Sequence, residues 1–165
     1  MVNERIKRFN YIANNIPAEP HEKDKFWEQA ILQSSLILEE AREAHEAALK
    51  RDIVEYVDGV VDTWYLHNYA EHMLEQFGVL LYQAKDQVCL NNDSKYTRSK
   101  DLAEQSKNHH NKSGNPCYVQ DVEYQGETYY IVKRMSDGKV QKLLGHQKPN
   151  IASSIPEEVM KALEE

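Results

Sequence analysis

The sequence predicts a mainly α fold: a helical bundle that oligomerisation completes, with a small antiparallel β appendage towards the C-terminus. Three observations predict it. From residue 20 to about residue 76, apolar side chains recur at three- and four-residue intervals, the period of an amphipathic helix. No proline interrupts the chain between Pro20 and Pro116, so long helices can form there. After Pro116, β-branched and aromatic residues dominate two short runs.

The helical part of the chain divides into four predicted elements. A first helix follows Pro20 and ends just before Asp52, which has the position and residue type of an N-cap for the second helix. Gly78 is expected to end or bend that second helix. A third helix is predicted over residues 79–89. A polar, exposed helix is predicted over residues 99–112.

The C-terminal part reads as a small β structure. Residues 118–124 and 128–132 are predicted strands joined by a glycine-containing turn, as a hairpin or as two strands of a three-strand meander. A short terminal helix is predicted over residues 157–163. The predicted domains are a helical core at residues 1–113 and this appendage at residues 114–165.

Charge and composition exclude several classes of partner. The 165 residues carry 20 Lys and Arg against 27 Asp and Glu, a net charge of −7. This charge disfavours binding to a nucleic-acid duplex unless the basic residues cluster on one surface. Apolar stretches are a few residues long, whereas a membrane span needs about 20. The N-terminus lacks the apolar run of a signal peptide, and Cys89 and Cys117 make a poor disulfide framework, so a cytoplasmic protein is expected.

Two carboxylate pairs lie on the two long predicted helices. A three-residue step turns a helix by about 300°, so Glu40 and Glu43 share one face, as do Glu55 and Asp58. A solvated surface is the simpler interpretation of such acids. Their position argues against it, because Glu40 and Glu43 continue a row of smaller or apolar residues: Leu32, Leu36 and Ala47. Carboxylates on a buried row need a partner such as a cation, and an all-oxygen site suits Mg²⁺ or Mn²⁺.

Rival sites fail on inspection of the sequence. A ferritin-like di-iron centre needs Glu-x-x-His on its helices, and none of the seven histidines follows a glutamate at that spacing. No paired-cysteine zinc motif, Gly-rich P-loop or EF-hand loop is present. A different class stays open: a noncatalytic helical protein whose acidic helices bind a basic partner.

The acids stand in a wider pattern that resembles a known signature. Glu-Glu-x-x-Glu at 39–43 and Glu-x-x-Asp at 55–58, on consecutive helices, are similar to the motif of the all-α NTP pyrophosphohydrolase superfamily. Gln33, Asp62 and the loop Asn92-Asp93-Ser94-Lys95 extend the likeness to MazG-like and phosphoribosyl-ATP pyrophosphohydrolase-like proteins of bacteriophage type. In these relatives an apolar residue is common at the position that Asp93 occupies here. The resemblance covers roughly residues 20–95.

The resemblance implies an enzyme that hydrolyses a nucleoside triphosphate between its α and β phosphates, giving monophosphate and pyrophosphate. It implies Mg²⁺, with Mn²⁺ as an alternative, held by Glu40, Glu43, Glu55 and Asp58. Either Glu39 or Glu40 is the candidate general base. Phosphoribosyl-ATP and modified or alarmone nucleotides are the alternative substrates.

The remaining expectations concern substrate contacts and assembly. The candidate substrate-binding residues are Gln33, Asp62, Tyr65, Asn92 and Lys95. Among them, Tyr65 could stack on a base and Lys95 could contact phosphates. Uncovered apolar helix faces, together with the resemblance, predict a homodimer or homotetramer, in the host cytoplasm if the protein is phage-encoded.

Overall fold

A computed structural model describes residues 3–164, and its mainly α fold is as predicted, with 61% of residues helical. The helices are α1 Glu4–Ile12, α2 Lys23–Lys50, α3 Ile53–Gln76, α4 Leu81–Asp93, α5 Lys100–Lys112 and α6 Glu157–Glu164. The strands are β1 Tyr96–Thr97, β2 Cys117–Tyr124 and β3 Glu127–Arg134. Within this described part, no helix is both long and apolar enough to span a membrane.

The chain forms two compact units. One comprises residues 3–81 and 153–164 of the described chain, and the other comprises residues 82–152. The contacts thus group residues 82–113 with the sheet. The predicted division into a catalytic core and an appendage after residue 113 stays a prediction.

In the first unit, α2 and α3 form an antiparallel hairpin. Its contacts join the start of α2 to the end of α3, and the end of α2 to the start of α3: Phe26 with Phe77 just after α3, Gln33 with Leu66, and Ala44 with Gly59. The turn is short because Arg51 takes a left-handed conformation, φ 58°, and Asp52 starts the next helix at once. The Asp52 carboxylate accepts from the backbone N–H groups of Val54 and Glu55, which confirms the predicted N-cap.

Helix α1 was not predicted, although the sequence contains its signals. Asn3 caps it by accepting from the N–H of Arg5, and its buried face carries Ile6. Ile6 packs with Tyr69 and Met73 of α3 in a small buried cluster. This packing places α1 along α3.

In the second unit, three antiparallel strands run in the order β1, β3, β2. Gln125 and Gly126 both have positive φ, as a two-residue hairpin turn requires, so the predicted hairpin is confirmed. The third strand is β1, which precedes α5. The segment that follows β3 adds no further strand, only an isolated bridge between Val140 and Lys133 in the described part of the chain.

Helix α5 covers one face of this sheet. The buried cluster between helix and sheet consists of Ala103 of α5 together with Cys117, Val132 and Leu143. Cys117 is 1% exposed and packs as an apolar side chain, and burial raises the pKa of its thiol.

Candidate functional site

The face of α2 that meets α3 includes one glutamate. Buried or half-buried residues recur along it at alternating three- and four-residue steps: Phe26, Ala30, Gln33, Ile37, Glu40, Ala44 and Ala47. Glu40 is therefore half-buried in the seam between the two long helices, with the small residue Ala44 one turn further along. The predicted position of Glu40 on the core-facing row is confirmed.

The rest of the predicted buried row is only partly confirmed in the single chain, because Ala47 is buried and Leu36 is half-buried but two other members are exposed. Leu32 is 54% exposed, and Glu43, Glu55 and Asp58 are also exposed. The buried row passes through Gln33 instead of Leu32, because the contact line follows the small residues at which the helices approach each other. Only Glu40 of these acids is partly withdrawn from water by its own chain.

Five carboxylates gather around this seam. The pKa of Glu40 is raised, first by partial burial and then by the negative charges of Glu43, Asp62, Glu39 and Asp58. We call Glu39, Glu40, Glu43, Asp58 and Asp62 the acid cluster. The structure thus brings together residues from both predicted motifs and adds Asp62, which the sequence placed among substrate contacts.

Glu55 lies further along the hairpin. The register of α2 against α3 places it opposite Ala48, about two helical turns from the level of Glu40. Glu55 is not among the groups that raise the pKa of Glu40. Its carboxylate would have to extend along the helix towards Asp58 to share an ion with the acid cluster.

A close backbone contact fixes the spacing of the two acidic helices. A Cβ placed on Gly59 would stand 2.9 Å from the backbone nitrogen of Ala44 and 3.0 Å from the Ala44 Cβ. Gly59 follows Asp58 directly, and Ala44 follows Glu43. The contact therefore holds the two acidic segments as close as their backbones allow.

The acid cluster suits a hard cation by its donor chemistry. Carboxylate oxygens are the ligands that Mg²⁺ and Mn²⁺ prefer, and the mutual repulsion that raises the pKa of Glu40 is what a cation would relieve. Within residues 3–164, no three His, Cys, Asp or Glu side chains are already arranged around a common point as metal ligands. The residues fit a divalent ion in type and sign, and their side chains would have to turn towards it.

A groove lies between α1 and α3. It encloses about 620 Å³, and the residues lining it include Arg5, Arg8, Phe9, Trp64 and Tyr65. The ring of Tyr65 meets that of Phe9 edge-on, with centroids 6.2 Å apart. We call this cavity the α1–α3 groove.

The groove and the acids share one face of α3. Tyr65 follows Asp62 by three residues and Asp58 by seven, a spacing that aligns all three along the helix. The structure thus places the predicted stacking residue Tyr65 beside acids of the cluster. The arginines of α1 were not predicted, although the N-cap Asn3 and the spacing of Ile6 and Phe9 could have placed them on a helix.

The other predicted substrate contacts are a buried glutamine of α2 and two residues of the second compact unit. Gln33 is 4% exposed, and its amide Nε2 donates to the carbonyl oxygen of Leu66 at 2.8 Å, which ties α2 to α3. Asn92 and Lys95 belong to the second compact unit, where the Lys95 Nζ donates to Asn92 Oδ1 at 2.6 Å. Their roles towards substrate stay predictions.

A mainly α chain whose helical hairpin gathers carboxylates from both helices is typical of the all-α NTP pyrophosphohydrolase superfamily. The chain belongs to a family within it: residues 4–89, just over half of its length, match the sequence model described as "Phosphoribosyl-ATP pyrophosphohydrolase". The family supports a pyrophosphohydrolase activity on a nucleotide. No curated protein and no solved structure gave a match.

Proposed function

We propose that this chain is a Mg²⁺-dependent nucleoside triphosphate pyrophosphohydrolase, with Mn²⁺ as the alternative ion. It cleaves an NTP or dNTP between the α and β phosphates, releasing monophosphate and pyrophosphate. The observation that carries the proposal is the acid cluster, which brings carboxylates of α2 and α3 to one seam. A triphosphate is strongly anionic, so such a site accepts it only when bound cations reverse the local charge.

Each acid has a proposed role. Glu40, Glu43 and Asp58 hold the metal, with Glu55 reaching towards them from the next turns of α3. When bound, Mg²⁺ polarises phosphoryl oxygens and lowers the pKa of an attacking water. Glu39 is exposed and offset by about 100° from Glu40, so it is free to orient that water and accept its proton. Glu40 is the alternative base.

The nucleotide itself fits the α1–α3 groove. Trp64, 51% exposed, and Tyr65 offer aromatic faces for a base, and Arg5 and Arg8 offer positive charge for phosphate oxygens. Asp62, three residues before Tyr65 on α3, would bond the ribose hydroxyls or hold a second ion.

An assembly is proposed because the helical hairpin exposes a large apolar surface. Large side chains at least 46% exposed include Ile31, Leu32, Leu38, Ile53, Val54, Val57, Val60 and Val61. So many exposed apolar side chains on two packed helices are typical of an interface, and a second copy of the hairpin would cover them. We propose a homodimer or homotetramer in which the acid cluster lies near the covered surface.

A second candidate substrate is phosphoribosyl-ATP, which the name of the matching family favours. Its hydrolysis also splits an α–β phosphoanhydride, so the proposed roles of the acids are unchanged. The ribosylated adenine is bulkier than a simple base. A comparison of turnover of the two substrates therefore tests the role of the α1–α3 groove, because the acid cluster has the same role with both.

The test is pyrophosphate release from a panel of NTPs, dNTPs and phosphoribosyl-ATP, with Mg²⁺ or with EDTA. We expect turnover of at least one substrate that EDTA abolishes and Mg²⁺ restores. Glu40→Gln and Asp58→Asn are each expected to lower kcat by at least about a hundredfold, the scale of lost charge stabilisation at a reacting centre. Glu46→Gln, on the same helix but outside the cluster, is the matched control and should stay active.

Two outcomes would contradict the proposal. Full activity of both cluster variants would remove the acid cluster from the mechanism. Failure of the wild type to hydrolyse any substrate, with either ion, would favour the noncatalytic acidic binding protein.

A further inference from the structure

The sheet of the second compact unit has one covered face and one open face. Side chains alternate between the faces along each strand, and the register pairs β2 with β3 from Cys117 opposite Arg134 to Tyr124 opposite Glu127. Cys117 and Val132 face the core beneath α5. The alternate positions of β2 and β3 therefore form the opposite face, which we call the open face.

Tyrosines dominate this open face. Tyr124 is 61% exposed, Tyr96 is 42% exposed and Tyr118 is 38% exposed. Tyr96, Tyr124 and Tyr129 line a concavity of about 370 Å³ together with Val122 and Ile131. The rings of Tyr96 and Tyr129 meet edge-on, with centroids 5.4 Å apart, so these two rings support each other in place.

Basic groups accompany the tyrosines. The Arg98 guanidinium lies 5.4 Å from the ring centroid of Tyr129 and donates to its hydroxyl at 3.2 Å. A carboxylate of Glu127 pairs with Arg98 at 3.7 Å. Lys133, opposite Tyr118 in the register, adds a second cation to the open face.

The charge of the chain is unevenly distributed. Residues 82–152 carry 11 Lys and Arg against 8 Asp and Glu, or +3, whereas the rest of the chain carries 9 against 19, or −10. The overall acidity that argued against nucleic acid thus belongs to the unit with the acid cluster. It does not describe the unit that carries the open face.

We propose that the open face binds single-stranded nucleic acid by stacking bases on Tyr96, Tyr124 and Tyr129, with Arg98 and Lys133 contacting the backbone. Aromatic side chains exposed on a small antiparallel sheet, flanked by cations, are a recurrent platform for unpaired bases. A duplex cannot use this surface, because its bases are stacked on one another and hidden from the rings. The site is separate from the proposed nucleotide hydrolysis and does not depend on it.

The test measures binding of the full chain to a fluorescein-labelled 12-nucleotide oligothymidylate by anisotropy, in EDTA. EDTA removes any metal-mediated contact of phosphates with the acid cluster. Tyr124→Ala is expected to weaken binding at least about fivefold, the lower limit for loss of one stacked base. Tyr124→Phe keeps the ring and should bind like the wild type. Tyr82→Ala, at an 84% exposed tyrosine of α4, is the matched control and should also be unchanged.

Further measurements separate base stacking from misfolding and from purely electrostatic binding. Circular dichroism of each variant checks that it folds, and Arg98→Gln supplies a second test that leaves the tyrosines intact. With two backbone contacts we expect log affinity to fall with log salt with a slope of about −1.4. Glu40→Gln should bind the oligonucleotide as tightly as the wild type, because Glu40 is not among the proposed contacts.

Four results would overturn the proposal. They are equal binding of a duplex of the same length, equal competition by thymidine monophosphate at matched nucleotide concentration, unchanged affinity of folded Tyr124→Ala, and no oligonucleotide binding by the wild type. Loss of self-association in Tyr124→Ala, without any oligonucleotide binding, would assign the open face to a second copy of the chain.

Discussion

Gly59 of α3 lies against Ala44 of α2 so closely that any side chain on Gly59 would strike the backbone of α2. A Cβ there would stand 2.9 Å from the Ala44 nitrogen and 3.1 Å from its Cα. Backbone atoms cannot move aside as a flexible side chain can, so the two helices would have to separate. The acids next to these two residues, Glu43 and Asp58, would separate with them.

Gly59→Ala is therefore expected to lower both stability and activity. Overpacking costs about 1–3 kcal/mol, and alanine recovers about 1 kcal/mol through its higher helix propensity. A net loss of about 1 kcal/mol lowers the Tm by about 2–4 °C in a chain of this size. Activity should fall by about ten- to a hundredfold, since a displacement of 1 Å can have that effect on a reacting centre.

Thermal melts and pyrophosphate release from one preparation check this prediction. Ala48→Ser adds an atom on the exposed side of α2 and serves as the control, with both quantities expected near those of the wild type. Wild-type activity in a destabilised Gly59→Ala protein would show that the spacing of the helices does not matter to the chemistry.

Glu40→Gln should stabilise the metal-free protein while it removes activity. The pKa of Glu40 is raised in the fold, by burial and then by neighbouring carboxylates. Such a group contributes its full stability below the unfolded pKa of about 4.5 and loses it as pH rises through the folded pKa. At pH 7.5 the ionised Glu40 therefore opposes folding. Relief of two or three like-charge contacts is worth about 0.5–1 kcal/mol, or a few degrees in Tm.

Melting curves at pH 7.5 in EDTA and in Mg²⁺ provide the comparison. In EDTA the variant should melt above the wild type. In Mg²⁺ the order should reverse, because only the wild type gains from the ion. Glu46→Gln breaks a 3.7 Å surface pair with Lys50 and should change the Tm little in either solution. A Glu40→Gln protein that melts below the wild type in EDTA would contradict the proposed repulsion.

Gln33→Met distinguishes a structural from a substrate-binding role for Gln33. Methionine keeps most of the buried volume but cannot donate to the Leu66 carbonyl, which loses a 2.8 Å hydrogen bond. The expected loss is about 0.5–1.5 kcal/mol of stability, with KM within about twofold of the wild type. Gln76→Met, at the exposed end of α3, controls for the side-chain change. A KM raised tenfold at unchanged Tm would return Gln33 to the substrate contacts.

The long elements could be predicted because local signals and tertiary packing agree there. Asp52 caps α3 through its own carboxylate, and Gln125-Gly126 turns the hairpin through its own backbone preference, so neither depends on distant residues. Helix α1 is short and polar, and its position depends on the buried packing of Ile6 against Tyr69 and Met73. Contacts between residues so far apart along the chain produce little signal in the local sequence.

The acid cluster was predictable only where it depends on local sequence spacing. Spacing within one helix aligned Glu40 with Glu43, but the register between the helices decides which acids of α3 meet them. The Ala44–Gly59 contact sets that register and draws Asp62 towards Glu40, leaving Glu55 two turns away. Small residues carry no periodic hydrophobic signal, so their part in the site becomes visible only in the fold.

His146 belongs to a partly buried hydrogen-bond network in the second unit. The His146 Nδ1 bonds the Ser94 hydroxyl at 2.7 Å, and that hydroxyl donates to the Asn91 carbonyl at 2.7 Å. The Asn91 amide nitrogen lies 3.0 Å from His146 Nε2 and also donates to the Gln147 carbonyl at 2.7 Å. Since Asn91 Nδ2 is a donor to both, His146 Nε2 accepts, and the ring is neutral with its proton on Nδ1.

Acidification is therefore expected to weaken this unit below about pH 6.5. Burial and the nearby charges of Lys142 and Lys95 lower the pKa of His146 from its usual 6.5. For a base with a lowered pKa, stability is complete above the unfolded pKa and falls as pH drops towards the folded one. Amide hydrogen exchange in β2, β3 and α5 should accelerate between pH 6.5 and 5, after correction for the intrinsic rate. His146→Gln should remove most of this dependence, whereas His45→Gln on α2 should keep it. An unchanged opening free energy across that range in the wild type would show that protonation of His146 does not disturb the network.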